Sequence, residues 1–65
     1  MTENEIQHRL DRARVLANEI WTGVYLVRLD RVEEDYAAFE VKLHSQDGPR
    51  HWVAVSSTNS WEIRS

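Results

Sequence analysis

The chain contains no cysteine. Disulfides and thiolate metal sites are thereby excluded, so a fold of this size rests on packing or on association. Glycine occurs twice and proline once, at Gly23, Gly48 and Pro49. Sharp backbone breaks are therefore expected at two places only. Lysine is scarce too, with one Lys against seven Arg. No run approaches the ~18 apolar residues of a membrane span, and the N-terminus has no apolar signal core. The expectation is a soluble, cytoplasmic chain with no membrane partner.

At 65 residues the chain holds one domain, spanning 1–65. A domain this small buries only about 60% of its unfolded surface, so its core is thin. Eleven acids against eight bases leave a net charge of −3. The overall field does not attract polyanions, which counts against a nucleic-acid binder unless a local basic patch overrides it.

Residues 3–20 read as one amphipathic helix. Ile6, Leu10, Ala13, Ala17 and Ile20 recur at spacings of 4, 3, 4 and 3 and share a face, with Leu16 beside them. Thr2 with Glu5 three positions on has the form of a capping box, and Glu3 and Glu5 suit the positive end of the helix dipole. Arg9, Arg12 and Arg14 lie off the apolar stripe.

Strands follow at about 24–32, 36–44 and 50–56, with a short fourth at 61–64. Val24-Tyr25-Leu26-Val27 is apolar on both faces, so the first strand is either central in the sheet or turned toward a partner. Val32-Glu33-Glu34-Asp35 is a polar turn, and Ser57-Thr58-Asn59-Ser60 is a loop by composition. The order α-β-β-β-β with short connections predicts an α+β domain, a helix packed on an antiparallel meander. A small, strongly bent Sm-like or SH3-like barrel with an N-terminal helix has the same element order. Such a barrel wants glycines that are missing here.

The hairpin from Phe39 to Val55 has two registers. A two- or four-residue loop places Leu43 opposite Trp52 and makes Trp52 core. An odd loop, with Gly48 left-handed, sets Val41 against Val53 and Phe39 against Val55. Trp52 then joins Glu40, Lys42 and His44 on the outer face. The odd loop is favoured because it places valines against the Phe39-Val41-Leu43 row.

That register supplies the candidate binding surface: Trp52, Lys42, His44 and Arg50, with Tyr25 from the first strand. Trp, Tyr and Arg commonly anchor protein interfaces. An aromatic among bases also resembles a stacking platform for single-stranded nucleic acid. Arg9 and Arg12, at i,i+3 on the helix, form a second candidate patch for phosphate or an acidic partner. The turn Glu33-Glu34-Asp35 is read as solvated.

His8, His44 and His51 have no ligand spacing, so no metal is expected. Ser56, Ser57, Thr58 and Ser60 lie in no nucleophile or phosphate-loop motif, so neither catalysis nor a cofactor is expected. The sequence thus points to a small non-enzymatic protein-binding module, regulatory or inhibitory, acting through its sheet face or as a homodimer. The alternative is a nucleic-acid-binding module using the Trp/Arg/Lys face. The sequence names neither partner nor pathway.

Overall fold

Thr2 starts the helix. Its side chain accepts a hydrogen bond from the Glu5 backbone N–H at 3.2 Å, and the Glu5 carboxylate accepts from the Thr2 N–H at 3.2 Å. Two otherwise unpaired donors are satisfied reciprocally. In the computed structural model, which describes residues 1–58 and 60–64 (Arg64 through its backbone alone), helix α1 spans Glu3–Ile20. It ends at Trp21, whose backbone turns extended while its N–H still reaches the Ala17 carbonyl at 2.9 Å.

Four strands follow: β1 Val24–Val32, β2 Tyr36–Leu43, β3 Arg50–Ser56 and β4 Trp61–Arg64. They pair antiparallel in the order β1-β2-β3-β4, an open meander sheet with α1 on one face. The expected α+β architecture is formed, and the sheet does not close into the alternative barrel. Asn59, assigned to the β3–β4 loop, lies outside the described residues.

The core lies between α1 and the inner sheet face. Ala13, Leu16 and Ala17 from the helix meet Ala37, Phe39, Val41 and Leu43 of β2 and Val53 and Val55 of β3. Leu10, Trp21, Val24 and Val27 pack around them. The helix face is rotated from the expected stripe: Leu16 is fully buried, whereas Ile20 is exposed. Small alanines at 13 and 17 let the backbone sit close to the sheet, and that brings Leu16 down onto it.

The doubly apolar first strand is not central. β1 is an edge strand, and Tyr25, Leu29 and Val32 are exposed on it. Its pairing with β2 slips once between Val24 and Leu26 and again between Leu29 and Arg31. Such bulges twist an edge and interrupt its pairing template.

The β2–β3 hairpin has the odd parity, so Trp52 lies on the outer face. The register itself differs by two residues from the expected one: Phe39 opposes Val53, Val41 opposes His51 and Lys42 opposes Arg50. The reason is a longer loop. His44 takes a left-handed φ of 70° and ends β2 at Leu43. The Gly48 N–H then closes a turn on the Ser45 carbonyl at 3.0 Å. Pro49, which has no N–H, contributes only its carbonyl, accepting from Leu43 at 3.0 Å.

Gly23 fastens this end of the molecule. Its φ is +71°, its carbonyl accepts from the His44 N–H at 2.7 Å, and an added Cβ would sit 2.5 Å from the His44 ring nitrogen. Gly23→Ala should therefore cost about 1–2 kcal/mol from the left-handed backbone alone. A urea midpoint unchanged from wild type would refute this.

Candidate functional site

Among the described residues, no element covers the outer sheet face. Across it run rows of side chains set by the pairing registers. One row is Arg28, Glu40 and Trp52, and the next along the strands is Arg31, Ala38, Ala54 and Glu62. Lys42 and Arg50 oppose each other beyond the first row, and Tyr36 and Ser56 beyond the second.

Glu40 is the one buried charged residue of the described chain, with a side chain 5% exposed. Arg28 reaches its Oε1 through both Nε and Nη2 at 2.8 Å, and Arg50 reaches Oε2 through Nη1 at 3.3 Å. Burial alone pushes the Glu40 carboxyl up. Hydrogen bonds from Arg50 and Arg28, with the charges of Arg28 and Lys42, outweigh burial and hold it below its ordinary value. The Arg50 guanidinium also lies 5.4 Å from the Trp52 ring centroid, a cation–π distance. Glu40 thus fixes Arg50, and Arg50 orients Trp52.

Beside this network lies a concavity of about 460 Å³. Ala38 and Ala54 form its floor, because methyl side chains leave room where larger residues would fill the face. Tyr36 and Trp52 supply aromatic walls, Trp61 borders the concavity from the start of β4, and Asp30, Arg31 and Glu62 supply charge. Arg31 donates to the Tyr36 hydroxyl at 3.1 Å and lies 3.5 Å from Glu33, which holds that wall in place.

The candidate residues divide between the two layers. Trp52, Lys42 and Arg50 do share the outer face. His44 leaves it, because the strand ends one residue earlier and its ring lies against Gly23. Tyr25 projects, exposed, from the bulge at the β1 edge. Arg9 and Arg12 belong to the helix layer, on the far side of the sheet. Arg9 is no free surface charge: its side chain is 11% exposed, and Nη1 donates to the Glu5 carbonyl at 3.0 Å. Arg12 is exposed. A second concavity, of about 780 Å³, sits here, bordered by Arg9, Arg12, His8, Asp11 and Ser57.

His51 is likewise not a solvent-exposed histidine. It lies half-buried on the helix side, its ring stacked on Trp21 at 4.8 Å between centroids. Among the described residues, no group of three or more His, Asp or Glu side chains is placed to hold a metal ion, and no helix is long and apolar enough to cross a membrane.

The two alanines, Tyr36, Arg28 and Glu40 are functional candidates that pattern reading missed. The pairing of Arg28 with Glu40 depends on the β1 bulges, which no residue in the sequence announces. The alanines carried a signal: Ala37-Ala38 and Ala54 are small residues inside strands otherwise built of large ones. Comparison with protein-family models, curated proteins and solved structures finds no match to this chain.

Proposed function

We propose that the chain is a non-enzymatic module that docks another polypeptide on its uncovered sheet face. The observation that carries this reading is the concavity floored by Ala38 and Ala54 and walled by Tyr36 and Trp52. Aromatic walls around an apolar floor, with charges of both signs at the rim, suit a protein surface with an apolar anchor and a polar surround. Glu40 is saturated by two guanidiniums and ionised at neutral pH, which suits it to structure and not to proton transfer.

A nucleic-acid reading draws on Trp52, Lys42 and Arg50 sharing the face. It is the weaker one. Arg28 and Arg50 spend their charge on Glu40, the acids Asp30 and Glu62 line the concavity, and the chain carries a net charge of −3.

The test compares capture by the tagged chain, by Trp52→Ala and by Arg14→Ala on the helix layer. An aromatic anchor worth about 2 kcal/mol predicts at least a tenfold loss of bound protein with Trp52→Ala and none with Arg14→Ala. Equal capture by all three would overturn the reading. So would a salt-sensitive shift with single-stranded oligonucleotides that Trp52→Ala abolishes.

A further inference from the structure

We propose that the polypeptide docked on this face is a second copy of the chain, packed face to face about a two-fold axis that lies in the interface and crosses the strands. The inference rests on the docking reading above and names its partner.

Shape is the first argument. The bulky row that holds Trp52 lies directly beside the small row of Ala38 and Ala54. A two-fold axis between these rows, running across the strands, exchanges them. Trp52 of each copy then lies over the alanine floor of the other. An isologous contact needs one patch that is its own complement, and a large row next to a small row meets that requirement.

Charge is the second argument, and it selects the same axis. Toward one end of the outer face stand Lys42 and the Arg28–Glu40–Arg50 cluster, whose two arginines outnumber its one carboxylate. Toward the other stand Asp30 and Glu62, beyond which the β1–β2 turn carries Glu33, Glu34 and Asp35 around the single Arg31. An axis across the strands lays the basic end of one copy on the acidic end of the other. The exchanged rows also set Arg28 over the opposite Arg31, whose charge is offset by its ion pair with Glu33 and by Asp30 beside it. An axis along the strands would lay like on like, which opposes association. In the chosen arrangement Lys42 approaches the Tyr36 and Asp35 end of the opposite copy.

The experiment is sedimentation velocity on the intact chain, from low micromolar to near-millimolar concentration, with far-UV circular dichroism on each variant to establish that it folds. The expected result is a concentration-dependent dimer that weakens with added salt. Ala54→Gln, which fills the floor without adding charge, should weaken it about tenfold or more. Lys42→Glu should weaken it as well, and adding Asp35→Lys to the same chain should restore most of the loss. A role confined to folding within one copy would give no such rescue.

A monomer at every concentration overturns the self-pairing. If Trp52-dependent capture of a different protein persists in that case, the docking reading stands without it. A dimer indifferent to Ala54→Gln and to the Lys42/Asp35 pair overturns the proposal, and one equally indifferent to Trp52→Ala removes the support for the docking face as well. Such a dimer forms elsewhere, the exposed β1 edge being the first place to look.

Discussion

Phe39→Ala should leave the chain largely unfolded at 25 °C. Phe39 is wholly buried in β2, with Val53 directly opposite and Ala37 and Val41 flanking it on the same sheet face. Emptying a buried Phe site costs about 3–5 kcal/mol, and a core in a domain below about 70 residues rarely supplies more than about 3–5 kcal/mol in total. The two magnitudes are equal, so the variant sits at or beyond its own unfolding midpoint. Far-UV circular dichroism and a urea titration measure this directly. A cooperative transition at the wild-type midpoint would show that the fold does not depend on this layer. If a second copy covers the outer face, the loss should be partly recovered at high protein concentration, because association stabilises only the folded chain.

Replacing Arg28 and Arg50 together by Met should destabilise the protein by about 3 kcal/mol at neutral pH and reverse its response to acid. Removing the partners of a buried charge costs about 3–5 kcal/mol, and the lower end applies because both arginines are more than half exposed and partly screened already. In the wild type the folded Glu40 carboxyl lies below its ordinary value of 4.5. Its contribution is then fully present above that value and is lost as pH falls through the folded pKa. In the double variant burial is opposed only by the charge of Lys42, and it raises the folded pKa above the unfolded one. Stability then falls as pH rises through the raised pKa, so mild acidification strengthens the variant where it leaves the wild type unchanged. Urea midpoints measured across the acid range separate the two. A variant that merely tracks the wild-type profile would show that the arginines do not set the Glu40 charge.

The secondary structure was nearly all legible, because each element announces itself locally. Thr2 with Glu5 marks one helix end and Gly23 the other, and Phe39-Glu40-Val41-Lys42-Leu43 alternates cleanly. What could not be read was whatever depends on residues in two strands at once. Trp52 was placed on the correct face through loop parity, yet its true cross-strand neighbour is Glu40, fixed by the loop 44–49 that the positive φ of His44 makes possible. Parity is a property of one hairpin, whereas register depends on how the whole loop closes.

The same limit explains Arg9 and Glu40. Each is charged, and composition sends charged residues to the surface, yet both are largely buried. Glu40 can be buried because Arg28 and Arg50 arrive from the strands on either side, and the sheet pairing alone brings them. Arg9 lies one helical turn before Ala13, close enough to the packed face for its aliphatic stem to be covered. His44 stays exposed but leaves the outer face for a different reason. One left-handed residue ended the strand before its side chain could join the face.

The meander order also bears on how the chain reaches this state. Each strand pairs with its immediate neighbour in sequence, through connections of a few residues, so loop closure costs little at each step. Hairpins of this kind form in roughly 1–10 μs on their own. The helix is the element that must find a distant surface, since it packs on β3 more than thirty residues downstream. Folding is therefore expected to zip outward from a hairpin and to be timed by helix docking, within the microsecond-to-second span of small domains and toward its fast end for a sheet protein.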